Sequence, residues 1–301
     1  MQLLYLLESI RVPFITELML LITHFGEETA FLVAALIIFW CLDKNRGYYL
    51  MGVGFCGTIV NQFLKLLCRV PRPWVLDPDF HAVEGAIPEA TGYSFPSGHS
   101  QSAVGTFGGL ALTGKNKILR WIFIAIAVLV PFSRMYLGVH TPADVLVGSL
   151  CAVVLIFLMR YLSEGRHVGA TLIGMAVLSV LYWIFAQFLI DPTRMDTYNY
   201  SHGVQNAYTL MGAIFGMVIV YFVDKKWLNF PVKAVWWAQI LKVALGLVLA
   251  LLVKSGLKAP LNALFGEYPG RAVRYFLLVL VAGIVWPLSF RWFARLGKKE
   301  G

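Results

Sequence analysis

The chain has 301 residues, of which 59% are hydrophobic and only 14% are charged, and its mean hydropathy is +0.73. A soluble domain is about 25% charged and cannot bury so large an apolar fraction, which excludes a soluble enzyme, a disordered chain and a secreted disulfide scaffold. The composition predicts a multi-span membrane protein. The formal charge of +9 lies in short basic groups between apolar stretches, which is typical of membrane loops and does not indicate nucleic-acid binding.

Nine apolar stretches are candidates to cross a bilayer core of roughly 30 Å. They must do so as helices, because an isolated strand in lipid leaves its backbone polar groups without partners and the sequence has no alternating barrel pattern. The predicted spans are 29–42, 47–68, 98–114, 118–136, 142–160, Thr171–Ile190, Val204–Val223, 234–253 and 272–292. We therefore predict an all-α fold, a polytopic membrane helical bundle of about nine transmembrane helices.

The first 24 residues are apolar but are interrupted by Glu8, Arg11, Pro13 and Glu17. We predict two short interfacial helices there, and a tenth span is the alternative. A cleaved signal peptide is not expected, because no basic residue precedes the apolar run and no small-residue cleavage site follows it. The chain is then predicted to divide into an N-terminal interfacial segment (1–26), a core with ionisable residues at its span ends (27–165) and a four-helix membrane extension with fewer such residues (166–301).

Basic residues in the connections predict the orientation of the chain. Alternate connections hold fourteen Lys and Arg on one side, among them Arg166, Lys298 and Lys299, against eight on the other side, which also carries most of the loop acids. The positive-inside rule makes the first side cytoplasmic. The connections 70–97, 191–203 and 254–271 and the segment around residue 140 are therefore expected to lie outside.

Neither the cysteines nor the loop acids indicate a metal site. The cysteines have no CxxC or Cys/His spacing and are interpreted as small buried hydrophobes. They are Cys41, Cys56, Cys68 and Cys151. The acids of the long outer connection are interpreted as a solvated surface, and they are Asp77, Asp79, Glu84 and Glu89. We predict no metal and no cofactor.

Three segments place ionisable groups where a membrane span should avoid them, and the first contains Lys65. A Lys at the centre of a span costs about 2.5–3.5 kcal/mol, although Lys65 lies near the outer end and its side chain could snorkel to the surface. Arg72 follows two helical turns later, so both cations can face the same side.

The second segment, Pro96-Ser97-Gly98-His99-Ser100, begins the span 98–114. Pro followed by Ser and Gly is an ordinary helix start. The free N–H groups and dipole of a helix N-terminus also favour an anion, and His99 adds a group that titrates near neutrality.

The third segment ends at Asp144. Thr141, Pro142 and Asp144 form an ordinary capping box, but this interpretation leaves Arg134 and His140 unexplained. An Asp one turn from a His can accept its Nδ1–H, which fixes the tautomer and leaves Nε2 available as base or nucleophile.

All three segments lie at the outer ends of their predicted spans and are expected to converge in one pocket at the membrane surface. They supply three cations, an anion-binding helix start, two histidines and a carboxylate. Phosphoryl transfer without a metal requires these groups, because cations neutralise the phosphate while one histidine attacks and another handles the leaving oxygen. The residues alone do not decide which histidine attacks, although the adjacent Asp144 favours His140.

Together the segments resemble the three-part motif of the type 2 phosphatidic acid phosphatase superfamily, over residues from about 45 to 160. The matching residues are Lys65, then after six residues Arg72-Pro73; Pro96-Ser97-Gly98-His99; and Ser133-Arg134, five residues, His140, three residues, Asp144. The resemblance implies a helical-bundle core and a phosphohistidine mechanism, in which His140 is the nucleophile, Asp144 orients it, and His99 is the general acid and then the base. It also implies a set of residues that bind the phosphoryl oxygens, namely Lys65, Arg72, Ser97, Gly98 and Arg134.

The resemblance further implies an integral-membrane lipid phosphatase. The loop charges place its site on the extracytoplasmic side of the cell membrane, and the histidines and fixed cations make it metal-independent. The resemblance suggests polyprenyl diphosphate, phosphatidylglycerophosphate or phosphatidate as substrate, and the sequence does not choose among them. Two alternatives stay open: a phosphotransferase that passes the phosphoryl group to an acceptor other than water, and a non-catalytic lipid-phosphate binding or transport protein. Expected partners are the lipid substrate and membrane lipids, with a homo-oligomer left open.

Outside the motif, the connection 254–274 carries half of the eight basic residues predicted to lie outside, which are Lys254, Lys258, Arg271 and Arg274. One interpretation is a basic rim that faces anionic lipid headgroups. The other is that Arg271 or Arg274 leans over the pocket and holds a second phosphate or an acidic headgroup, since planar Arg contacts suit phosphate oxygens.

Overall fold

The computed structural model describes residues 1–163 and 167–296, which form helices joined by turns and irregular loops, with no strand among them. The first helices are α1 (Gln2–Ser9), α2 (Pro13–Thr23), α3 (Glu28–Ile37), α4 (Lys44–Cys68), α5 (Pro73–Leu76), α6 (Gly98–Ala103), α7 (Gly109–Thr113), α8 (Lys117–Tyr136) and α9 (Pro142–Ser163). They are followed by α10 (Val168–Ile184), α11 (Thr197–Val223), α12 (Trp236–Gly256), α13 (Lys258–Phe265), α14 (Glu267–Leu280) and α15 (Phe290–Phe293). Arg166, Lys298, Lys299 and the predicted boundary between 165 and 166 lie outside the described residues.

Seven helices in the described ranges are long and apolar enough to cross a membrane. They are Lys44–Leu76, Lys117–Tyr136, Pro142–Ser163, Val168–Leu189, Thr197–Leu228, Trp236–Phe265 and Glu267–Phe293. Pro13–Gly26 and Glu28–Leu42 are bent by 54° and make an eighth if the pair is one span. The predicted all-α, multi-pass membrane protein is confirmed, whereas the count of nine is not, because α6 and α7 together run only from Gly98 to Thr113.

Large apolar side chains on the outside of the helices fit a lipid environment. Trp121, Leu146 and Leu252 are 69%, 68% and 65% exposed, which water would penalise and lipid tails do not. Among the cysteines, Cys41 and Cys56 are buried as expected of small hydrophobes, whereas Cys68 is exposed at the end of α4.

Internal contacts divide the chain into two compact units. Unit 1 consists of Met1–Ala34, Leu50–Tyr161 and Ile190–Gly203, and unit 2 of Ala35–Tyr49, Leu162–Leu189 and Val204–Gly301. The three motif segments all belong to unit 1. The division into 1–26, 27–165 and 166–301 stays a prediction.

In unit 1, the N-terminal helices pack on the chain around the C-terminal end of α8. The two short helices predicted within residues 1–24 are present as α1 and α2. The buried apolar cluster that joins them to this region contains Leu7, Met19, Ala86, Tyr136, Leu137 and Val139. This core therefore supports the turn that leads to His140.

Polar contacts also join the apolar helices of unit 2. Lys44 Nζ forms an ion pair with Asp224 Oδ2 at 2.8 Å and lies 3.8 Å from the centre of the Phe230 ring. Trp40 Nε1 donates to the carbonyl of Ala282 at 2.9 Å. These contacts give the buried polar groups partners inside a mostly apolar unit, where an unpaired group is costly.

Candidate active site

Lys65 and Arg72 are both buried and both bind the same stretch of backbone. Lys65 lies in the last turn of α4, and its Nζ donates to the carbonyl of Tyr93. Arg72 directly precedes α5, and it donates to the carbonyls of Gly92 (Nε, 3.1 Å) and Thr91 (Nη2, 2.7 Å). The structure thus brings the two cations together, as the sequence predicts, and anchors both on residues 91–93.

The predicted helix start at residue 97 is present. Ser97 caps α6, and its fully buried Oγ accepts from the backbone N of Ser100 at 3.4 Å and from its hydroxyl at 2.9 Å. The backbone N of Ser97 donates to the carbonyl of Asp144 at 2.9 Å, which joins the second motif segment to the third. His99 is half-buried in the first turn, and within the described chain its buried Nε2 has no hydrogen-bond partner.

His140 follows a turn in which Gly138 has a φ of 76°, a left-handed conformation that favours glycine. The imidazole is 2% exposed, with Arg72 Nη1 at 2.9 Å from Nε2 and Asp144 Oδ2 at 3.5 Å from Nδ1. Arg72 Nη1 also lies 3.5 Å from Nδ1. Because a carboxylate only accepts, a hydrogen bond to Asp144 places the proton on Nδ1 and leaves the lone pair on Nε2.

Asp144 serves two purposes at once. Its Oδ2 accepts from the backbone N of Thr141 at 2.8 Å, and its own N donates to Thr141 Oγ1 at 3.3 Å, so the capping box is present. The same oxygen accepts from the hydroxyl of Ser94 at 2.6 Å and lies beside His140. The capping and catalytic interpretations of Asp144 are therefore compatible, and Ser94 is a polar partner that the sequence did not reveal.

Arg134 is fully buried and only partly satisfied. Its Nη1 donates to Thr23 Oγ1 at 2.7 Å, whereas Nε and Nη2 are buried and have no hydrogen-bond partner among the residues that the structure describes. A buried cation with unpaired donors is costly, so this edge of the guanidinium is expected to meet an anion.

The pKa of His140 lies well below its ordinary value. Burial is the main cause, and the positive charges of Arg72, Arg134 and Lys65 lower it further. The imidazole is therefore neutral near pH 7, which is the form able to attack. The same three cations act electrostatically on His99. The cluster brings together two histidines and three cations, an arrangement suited to a phosphoryl group.

The remaining predicted residues, Arg271 and Arg274, lie in α14 of unit 2. Arg271 is half-buried and donates to Thr209 Oγ1 at 2.6 Å and to Gln205 Oε1 at 3.5 Å. Arg274 is 5% exposed, and its Nε and Nη1 are buried without a partner in the described part of the chain. Within residues 1–163 and 167–296, no group of three or more His, Cys, Asp or Glu side chains is arranged to hold a metal ion.

Two family models match the chain. The model described as PAP2 superfamily matches residues 45–168, and the model described as PAP2 superfamily phosphatase, transmembrane extension, matches residues 208–299. Undecaprenyl-diphosphatase BcrC of Bacillus subtilis (strain 168) is 30% identical over 150 residues, which make up 49% of this chain and 75% of that protein. The chain belongs to the PAP2 superfamily.

Phosphatidylglycerophosphatase B of Bacillus subtilis (strain 168) is 32% identical over 167 residues, which are 52% of this chain and 78% of that protein. A solved structure, that of the first transmembrane PAP2 type phosphatidylglycerolphosphate phosphatase from Bacillus subtilis, is 30% identical. It covers 54% of this chain and 83% of its own, with a TM-score of 0.45. On the two family models and the two Bacillus subtilis relatives, the protein is a membrane phosphatase of the PAP2 superfamily, and the resemblance drawn from the motif is confirmed.

Proposed function

We propose that this phosphatase hydrolyses a lipid phosphate or diphosphate through a phosphohistidine intermediate on His140. The observation that carries the proposal is the geometry of His140, whose Nε2 faces Arg72 at 2.9 Å while Nδ1 faces Asp144. The names of the relatives, an undecaprenyl-diphosphatase and a phosphatidylglycerophosphatase, support a lipid substrate.

The proposed reaction has two steps. His140 Nε2 attacks phosphorus, a P–N bond forms, and the P–O bond to the leaving group breaks while protonated His99 donates its proton to the leaving oxygen. Neutral His99 then removes a proton from water, whose oxygen attacks phosphorus, and cleavage of the P–N bond releases phosphate and restores His140. Asp144 stabilises the imidazolium that forms in the first step.

Phosphoryl oxygens are held in this proposal by the three cations and the start of α6, which comprise Lys65, Arg72, Arg134, Ser97 and Gly98. Arg72 Nη1 lies 2.9 Å from Nε2, the nitrogen that attacks in this proposal. In the proposed reaction the Nη1–H of Arg72 donates to a phosphoryl oxygen, which offsets the charge of the phosphate and leaves the Nε2 lone pair free to attack.

We further propose that the site faces the extracytoplasmic side of the cell membrane, with the basic connections in the cytoplasm. The proposed nine spans are the seven candidates, the stretch 29–42, and the short segment Gly98–Thr113. The stretch 29–42 belongs to the second helix of the bent pair, Glu28–Leu42. The short segment contains buried residues such as Ala103 and Phe107, as expected of a helix surrounded by protein rather than lipid.

The experiment that tests the function is a substrate panel. Purified protein in detergent is incubated with undecaprenyl diphosphate, phosphatidylglycerophosphate and phosphatidate, and both free phosphate and phosphorylated acceptor lipid are measured. Release of free phosphate from at least one lipid is expected. Transfer to an acceptor would identify a phosphotransferase, and binding without turnover of any lipid phosphate would contradict the proposal.

Chelation of divalent metal ions is expected to leave phosphate release unchanged. Fixed cations at Lys65, Arg72 and Arg134 neutralise the phosphoryl group in the proposed mechanism, and a histidine supplies the nucleophile. Activity is measured in excess EDTA and again after magnesium is restored. A loss in EDTA that magnesium reverses would show that the acidic connection holds a metal, and the residues to replace would be Asp77, Asp79, Glu84 and Glu89.

Replacement of Arg274 by alanine is expected to raise KM about tenfold for a diphosphate or acidic lipid and to leave a simple monophosphate nearly unaffected. We propose that Arg274, rather than Arg271, binds the second phosphate or acidic headgroup, because its Nε and Nη1 lack partners in the described chain while Arg271 is bound by Thr209 and Gln205. Exposed Lys258 provides the matched control, Lys258→Ala. An equal, salt-sensitive loss for every anionic substrate in both variants would identify a basic rim instead.

A further inference from the structure

The turn from Thr23 to Gly26 lies outside both regions that the family models match, yet it contacts the active site directly. Thr23 is the last residue of α2, and its Oγ1 accepts a hydrogen bond of 2.7 Å from Arg134 Nη1. Thr23 is 3% exposed and Arg134 is fully buried, so water does not compete for this bond. The contact joins residues that are 111 positions apart in the chain.

The hydroxyl of Thr23 occupies one nitrogen of the guanidinium and leaves a particular edge unoccupied. Nε and Nη2 are the two nitrogens of Arg134 that have no partner in the described ranges. Their N–H bonds are parallel in a planar guanidinium, and such an edge binds two oxygens of one phosphoryl group. The bond to Thr23 therefore determines which edge of Arg134 is available.

The three cations of the site differ in how many of their donors already have partners. Lys65 and Arg72 are already bonded to carbonyls of residues 91–93, and Arg72 also contacts His140. Arg134 keeps a two-donor edge unoccupied within the described residues. Its orientation rests on Thr23, so loss of that hydroxyl would let the long side chain sample other rotamers.

Gly26, three residues further on, brings the same turn against the backbone of the second histidine. A Cβ atom at residue 26 would lie 2.9 Å from the carbonyl oxygen of His99 and 2.8 Å from Val130 Cγ1, too close for any side chain. The turn thus supports the two residues by different means: Thr23 binds the side chain of Arg134, and Gly26 packs on the backbone of His99.

We propose that Thr23 is a positioning residue for phosphoryl transfer, and that its hydroxyl holds Arg134 with the Nε–Nη2 edge facing the phosphoryl group of the substrate. This proposal rests on the proposed function, in which Arg134 binds the phosphoryl oxygens. It makes the N-terminal segment part of the active site rather than only a membrane attachment.

The test compares three single variants. Thr23→Val removes the hydroxyl and keeps the branched shape, whereas Thr23→Ser keeps the hydroxyl. Thr58→Val is the matched control, because the hydroxyl of Thr58 donates within its own helix, to the carbonyl of Gly54 at 3.1 Å. For each, KM for a lipid phosphate, the inhibition constant of orthovanadate and the unfolding temperature are measured.

Thr23→Val is expected to raise both KM and the orthovanadate inhibition constant about tenfold, the loss typical of a hydrogen bond to a charged group. Thr23→Ser is expected to restore both values to near those of the native protein, and Thr58→Val to leave them unchanged. A merely structural role would lower the unfolding temperature and the amount of active protein while KM and the inhibition constant stay constant. That result would overturn the proposal.

Arg134→Ala and the double variant Thr23→Val/Arg134→Ala complete the test. If Thr23 acts through Arg134, the double variant is no worse than Arg134→Ala alone. A large loss in Arg134→Ala with native KM in Thr23→Val would refute the role of Thr23 and leave the proposed function intact. Native activity in Arg134→Ala would instead refute the proposed role of Arg134. If Thr23→Val does not fold, Thr23→Ala, which also lacks the hydroxyl, is measured in its place.

Discussion

Replacement of His140 by alanine is expected to lower phosphate release by more than about a thousandfold, as removal of a nucleophile does in other enzymes. Without the imidazole no P–N bond can form, and the three cations only bind the substrate. The measurement is phosphate release from the lipid that the native protein hydrolyses fastest, together with trapping of acid-labile phosphate on the protein. The native protein is expected to become labelled, and the His140→Ala variant is not.

His81 provides the matched control for this prediction. Its side chain is 80% exposed and lies 3.6 Å from Glu8 Oε1, away from the motif residues. Arg11 donates to its backbone carbonyl, which an alanine retains. His81→Ala is therefore expected to keep native activity. Substantial turnover by His140→Ala, or labelled phosphate that persists in it, would show that another residue is the nucleophile.

Replacement of Asp144 by asparagine is expected to lower kcat by about a hundredfold or more while the protein still folds. The amide keeps an oxygen that can accept from Ser94 and from the backbone N of Thr141, which are now 2.6 and 2.8 Å from Oδ2. It loses the negative charge that stabilises the imidazolium of His140 and holds the proton on Nδ1. Measurement of kcat and of the unfolding temperature separates these two effects.

Thr141→Ala tests the capping role of the same segment by itself. It removes the Oγ1 that accepts from the backbone N of Asp144 at 3.3 Å, which should cost about 0.5–2 kcal/mol of stability and leave kcat near the native value. If Asp144→Asn behaves like Thr141→Ala, with lower stability and native kcat, then Asp144 is only a helix cap. The 3.5 Å approach to His140 would then have no catalytic consequence.

The architecture near the site follows from local signals, which is why much of it could be predicted. The apolar stretches determine the membrane helices because lipid offers backbone groups no other partner. Ser97 caps α6 and the pair Thr141 and Asp144 caps α9, as their spacing predicts, because a cap depends on residues within one helical turn. The number of spans was harder to predict. Apolar composition does not show that the helix Gly98–Thr113 is short, or that Pro13–Gly26 and Glu28–Leu42 form a bent pair.

The details that decide the chemistry depend on contacts between distant residues. The sequence places His140 beside Asp144, but only the folded chain brings Arg72, 68 positions away, to 2.9 Å from its Nε2. Ser94 and Thr23 carry no local signal, since each is one small polar residue that matters through a partner 50 or 111 positions away.

The sequence by itself determined that this is a helical membrane protein and where its ionisable motif residues lie, because composition, periodicity and spacing are local properties. The phosphatase activity followed from the resemblance of that motif to a known family. Only the tertiary structure decided how the motif's side chains are oriented. It shows that Thr23 accepts a hydrogen bond from Arg134. It also shows that Arg274 has donors without partners in the described chain, whereas Arg271 donates to Thr209 and Gln205. The physical reason is that a hydrogen bond between distant residues exists only once packing has brought them together, and no pattern along the chain encodes that distance.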